Sequence, residues 1–132
     1  MAFTGLGTVL KRDTEPIADV ISISGPSVTR DTVDVTTLGS TGGYREFITG
    51  LRDGGTLTFE LNFSKTGYEA MKTDYESDDA VSYVIELPDT DKTEISFDGL
   101  VTDFPVEIPL EDKVSVSVTV KITGNISVGA YT

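Results

Sequence analysis

The sequence predicts a mainly β fold: an antiparallel β-sandwich or barrel with one flanking α-helix, a long inter-strand loop and extended termini. Three observations carry this. Lys113 to Gly124 alternates Val114, Val116, Val118, Val120 and Ile122 with Ser115, Ser117, Thr119, Lys121 and Thr123, a period of two that puts the apolar set on one sheet face. Thr56 to Phe63 repeats the pattern, with Leu57, Phe59, Leu61 and Phe63 opposed to Thr56, Thr58, Glu60 and Asn62. Only Thr66 to Glu76 has a good helical pattern.

In chain order, Met1 to Pro16 is read as an amino-terminal arm. Ile17 to Ser24 and Thr32 to Thr37 are β-branched runs separated by GPSVTR, and Gly25 with Pro26 suggests that they pair as a hairpin. Leu38 to Gly55 follows as an irregular connection of about 18 residues, far longer than the two to five of an ordinary hairpin loop. Its front half, Gly39 to Gly43, is flexible Gly, Ser and Thr. Its back half offers Tyr44, Arg45, Phe47, Ile48 and Leu51, with a short helical turn over Phe47 to Arg52. After the strand at Thr56, the helix has Ser64 or Thr66 as cap, Glu69 as a capping-box partner, and Tyr68, Met71 and Tyr75 on one face. Ala80 to Leu87 is another alternating strand, ended by Pro88 and Asp89. Glu94 to Phe104 is a longer one whose phase shift near Asp98 and Gly99 suggests a bulge. The domain runs from 17 to 124, and Asn125 to Thr132 is a carboxy-terminal arm. Both arms, through FTGLGTVL and NISVGAYT, carry more apolar residues than a solvated tail needs, although frayed termini are the ordinary case.

Composition excludes several functions. The 132-residue chain has no cysteine and no histidine, so thiolate and imidazole chemistry, including the commonest zinc ligands, is absent. Its formal net charge of −12, from 22 acidic and 10 basic residues, opposes a surface that grips phosphates. No run approaches the roughly 20 apolar residues of a membrane span. The short apolar patch of the amino terminus precedes its positive charges, the wrong order for a signal peptide, so synthesis in the cytoplasm is expected.

Chemistry is equally sparse. TDYESDDA and PDTDKTE are acid-rich but lack the arrangement of a calcium loop, and read as solvated turns and helix ends. GSTGG at Gly39 to Gly43 has no phosphate-loop lysine and opens no clear helix. No nucleophile spacing is recognisable. The expectation is therefore a protein that is not an enzyme, with no catalytic, cofactor-binding or metal site, whose long loop serves contact. The hydroxyl-rich faces of the strands either meet solvent, as one-sided sheets do, or line a wet channel.

DVTTL at Asp34 to Leu38, YREFITGLRDGG at Tyr44 to Gly55, LTFELNF and VSVSVTVKITGNI together resemble the tail tube proteins of lambda-like siphophages. The likeness extends from about Ile17 to Ile126. Asp34, Val35, Thr36, Thr37 and Leu38 fit that family's strand-ending segment, and Glu46, Phe47, Gly50, Leu51 and Asp53 fit the segment after its long loop. The resemblance implies a structural subunit that self-assembles into stacked hexameric rings, the conduit for DNA delivery. It implies a place in the virion tail, with tape measure, tail terminator and tail tip proteins as partners. DNA passes without specific binding, and no membrane is involved. On this reading Leu38, Tyr44, Arg45, Phe47, Ile48 and Leu51 make inter-subunit contacts, with Arg45 paired to a neighbour's carboxylate, while Thr58, Glu60 and Asn62 are lumen-facing candidates. Two alternatives remain: an Hcp-like secretion-system tube protein, and a monomeric β-sandwich binding module.

Overall fold

The computed structural model describes residues 4–131. The strands are β1 (Val9–Arg12), β2 (Glu15–Pro16), β3 (Val20–Ser24), β4 (Thr29–Asp34), β5 (Phe47–Asp53) and β6 (Thr56–Asn62); after the helix α1 (Lys65–Glu76) come β7 (Val81–Glu86), β8 (Thr93–Asp103), β9 (Val106–Glu107) and β10 (Ser115–Ala130). One curled antiparallel sheet runs β2-β1-β7-β8-β10-β6-β3, with β9 added to β10, and β4 and β5 form a separate two-stranded ribbon. The predicted β fold with one helix is the fold observed.

The alternating strands behave as their period demands. Leu57, Phe59 and Leu61 of β6 and Val116, Val118, Val120 and Ile122 of β10 are buried, together with Leu10, Met71, Tyr83, Ile85, Phe97 and Val101. Each fully buried aliphatic or aromatic side chain contributes about 1.5–3 kcal/mol relative to exposure. The helix lies against β8. Ser64 caps it, its hydroxyl accepting from the Gly67 N–H at 3.1 Å, so Gly67 stands where a capping box would place an acid. Met71 enters the core while Tyr75 stays half exposed, its ring 5.1 Å from that of Phe104.

Several readings of the strands are corrected. Ile17–Ser24 and the run after Gly25 do not pair with each other: β3 joins β6, with Ile23 opposite Phe59, and β4 pairs β5. The reason is polarity. Thr29–Asp34 offers only Val33 as an apolar residue and cannot supply a core strand, whereas β3 brings Val20 and Ile23 to the core cluster. The helical turn over Phe47 to Arg52 is strand β5, so only the first half of the long connection is irregular. In β8 the phase does not shift at Asp98. Phe97, Gly99 and Val101 all point inward, and Gly99 is required because an added Cβ would run into the Val120 side chain. The expected irregularity beside Asp98 is present in the ladder, with its extra residues on the partner strand: Thr123 pairs Asp98 and Ser127 pairs Ser96, and a second shift falls at Thr119/Val120.

Described residues of both arms take part in the sheet. β1 pairs β7, and Asp13 and Thr14, at φ 50° and 77°, make the two-residue turn into β2, the geometry that twisted hairpins favour. At the other end β10 continues to Ala130 opposite Thr93, and the Tyr131 hydroxyl donates to the Leu87 carbonyl at 2.7 Å. The expectation for Met1–Phe3 and Thr132 lies outside the described residues.

One buried polar cluster ties the amino-terminal hairpin to helix and sheet. Arg12 Nε donates to Asp74 Oδ2 at 2.5 Å, Arg12 Nη2 meets Asp74 Oδ1 at 2.5 Å, and the Tyr83 hydroxyl donates to Oδ2 at 2.7 Å. The Asp74 hydrogen bond is the main cause that raises the Arg12 pKa. Burial, reinforced by the bond to Asp74, pushes the Tyr83 phenol well above its usual range.

Candidate functional site

The ribbon stands apart from the core. Every residue of β4 is exposed, and in β5 only Gly50 is partly covered. Yet its side chains include Val33, Phe47, Ile48 and Leu51, the last 83% exposed. A solitary two-stranded ribbon with no buried face is marginal in water. Large exposed apolar side chains gathered on one element of this kind mark an interaction site.

Local chemistry fixes its shape. The Val35 N–H donates to the Glu46 carbonyl at 2.9 Å, and the Glu46 N–H donates to Thr36 Oγ1 at 2.7 Å. The Thr37 N–H donates to Ser40 Oγ at 3.0 Å, so the connection between the strands is held by its own hydroxyls rather than left open. Thr36, through its hydroxyl and its backbone N–H, holds the Asp34 carboxyl below the usual range. At the base, Asp53 Oδ1 accepts the Gly55 N–H at 2.8 Å. Gly55, at φ +73°, turns the chain from β5 into β6 where an added Cβ would strike the Ser27 carbonyl.

The contact residues expected from the sequence are brought together here, but not on one face. Successive strand residues point to opposite sides, so Phe47, opposite Asp34, and Ile48, opposite Val33, lie on different faces; the register shift that sets Gly50 and Leu51 against Asp31 then returns Arg52, opposite Arg30, to the Phe47 side. Leu38 and Tyr44 stand exposed in the connection. Arg45, expected to reach a neighbour's carboxylate, meets Asp34 of its own ribbon at 3.5 Å; a pair this exposed is worth little. The sequence reading missed Arg30 and Arg52, which are direct cross-strand partners. They become visible only when β4 is paired with β5.

Thr58, Glu60 and Asn62 alternate with the buried residues of β6 and so point away from the core. Across β10 they face Thr119, Ser117 and Ser115, and across β3 Thr58 and Glu60 face Ser24 and Ser22. The same side of the sheet carries Glu86 opposite Glu94 and Ser82 opposite Asp98. Lys11 pairs with Glu86 at 2.9 Å and Lys121 with Asp53 at 3.4 Å. The face is thus hydroxyl-rich and net acidic. Glu60 lies in a shallow depression beside Glu107, Asp112 and Lys113. Among the described residues no group of three acids is placed to hold a metal ion, and no helix is long and apolar enough to cross a membrane.

Comparison with known proteins agrees with this geometry. The model of the lambda phage tail tube protein family matches residues 3–129. A protein from the tail of an empty gene transfer agent particle, refined with C6 symmetry, superposes with a TM-score of 0.80 at 22% identity, covering 98% of this chain and 100% of that one. A chain of the native gene transfer agent virion gives 0.80 at 23% identity, with 98% and 100% covered. A chain of the sheath–tube complex of an extracellular contractile injection system gives 0.73 at 13% identity, with 94% and 88% covered. At these identities the superpositions speak for the fold. No curated protein matches the chain.

Proposed function

The chain belongs to the lambda phage tail tube protein family, and from that premise we propose that it assembles into stacked hexameric rings whose channel delivers DNA. The observation that carries the proposal is the exposed ribbon of β4 and β5, apolar on both faces and covered on neither. The C6 symmetry of the gene transfer agent tail supports six subunits per ring. Leu38, Tyr44, Phe47, Ile48 and Leu51 supply the ring-to-ring contact, burying surface that a monomer must expose.

The polar sheet face that includes Thr58, Glu60 and Asn62 is the lumen wall. Its hydroxyls and acids fit passage of a polyanion, since a basic wall would bind phosphates by releasing counterions. Closing strand edges against neighbours also removes the aggregation hazard of an open sheet. Tape measure, tail terminator and tail tip proteins are the further partners of such a tube in the virion. The test is Phe47→Asp, which buries a charge in the contact while touching no core residue. The variant should keep its monomer unfolding transition and form no tubes in electron micrographs; normal tubes would sink the proposal.

A further inference from the structure

A groove of about 760 Å³ separates the ribbon from β10. Its walls combine Val28, Ile122 and Ile126 with Arg30 and Arg52. The irregular pairing of β10 between Thr123 and Ser127 lies along it, and such irregularities bend a strand away from its neighbours. Arg30 is oriented by donating to Thr49 Oγ1 at 2.8 Å. Like charges directly opposite across a ladder are destabilising, and among the described residues neither Arg30 nor Arg52 has a carboxylate partner. Asp53, the acid beside them, is already bonded to the Gly55 N–H and Lys121. On a chain of net charge −12, two adjacent unpaired guanidinium groups over an apolar floor call for an acidic and apolar occupant.

The chain carries one. Glu107 is held opposite Ser115 by β9, and the segment that follows projects Ile108 and Leu110, 77% and 98% exposed. Around them Glu107, Glu111 and Asp112 are all exposed, and Pro109 restricts the backbone between them. This acidic knob and the basic groove lie at opposite ends of one ladder, since Thr56 pairs Lys121 at the groove end and Asn62 pairs Ser115 at the knob end. Six residue steps at strand spacing separate them by about 20 Å. One copy therefore cannot fill its own groove in this fold. A second copy can, and a head-to-tail contact of this kind propagates rather than closing as a dimer.

We infer that the Glu107–Asp112 loop of one copy docks in the groove between the ribbon and β10 of the next. Ile108 and Leu110 meet Val28 and Ile126, and the loop's carboxylates pair with Arg30 and Arg52. The contact rests on the tube-subunit assignment and adds to it the acceptor and the direction of stacking.

The chain has no cysteine, so a disulfide can report the contact directly. Val28→Cys and Leu110→Cys proteins, mixed under assembly conditions and oxidised, should give disulfide dimers containing one of each in the sedimented tubes, while each variant alone stays uncrosslinked. As a second measurement, Arg30→Glu with Arg52→Glu should raise the concentration needed for tubes by about tenfold or more. Adding Glu111→Arg and Asp112→Arg to the same chain should bring it back to within roughly threefold. Tubes that form normally with no mixed disulfide, and with no effect of the charge reversals, overturn the contact and leave the tube assignment standing. Wild-type protein that forms no tubes, even with tail tips as initiators, overturns both.

Discussion

Arg12→Met tests how the amino-terminal hairpin is held. The Asp74 side chain is 1% exposed and its carboxylate is satisfied by Arg12 and Tyr83 alone. Removing one partner of a buried ion pair costs about 3–5 kcal/mol, because the remaining charge is left uncompensated. The Arg12 side chain is 25% exposed, so water reaches the vacated space and the lower end, about 3 kcal/mol, applies. For a domain of this length that lowers Tm by roughly 10 °C. Urea and thermal unfolding of the monomer measure it. The triple variant Arg12→Met, Asp74→Leu, Tyr83→Phe should recover most of the loss, since no polar group is then stranded. A loss under about 1 kcal/mol for Arg12→Met, or a triple variant no more stable than the single one, would refute the reasoning.

Gly99→Val should destabilise the monomer by about 1–3 kcal/mol through overpacking against Val120, read from the urea midpoint. Ser64→Ala should cost about 1 kcal/mol by removing the helix cap, with no change in tube morphology. Asp89 accepts the Thr93 hydroxyl and N–H, and the hydroxyl bond is the main cause that lowers its pKa below the ordinary carboxylate value. Its contribution to stability is full above that value and is lost as pH falls through the lowered folded pKa; carboxyl NMR titration and the acid limb of unfolding in Asp89→Ala check the sign. Glu60→Lys should leave tubes intact but slow DNA delivery in a phage complementation assay, and an unchanged rate removes the argument for a repulsive lumen.

Much of the fold is legible in the sequence because it is set locally. Period-two alternation alone specifies which faces of β6, β7 and β10 are buried, and Ser64 or Thr66 ahead of the helical pattern brackets where α1 begins, a choice the structure makes for Ser64. The functional region is legible as an oversized connection with apolar and basic residues. Its geometry is not, because a short run such as Phe47 to Arg52 suits a helical turn or a strand equally until a partner is known. That choice decides whether Ile48 sits beside Phe47 or behind it.

The sequence by itself determined an acidic β-rich tail tube subunit without histidine or cysteine, its buried strand faces, and the stretch that must touch something. Only the tertiary structure decided which strands pair, and with them the groups that those pairings assemble. Arg30 meets Arg52, Arg12 reaches Asp74, and the carboxy-terminal segment continues a strand rather than ending as an arm. The physical reason is that strand pairing is non-local. Backbone hydrogen bonds are nearly indifferent to which side chains they join, so the partner is chosen by which combination buries the apolar faces of distant segments at once.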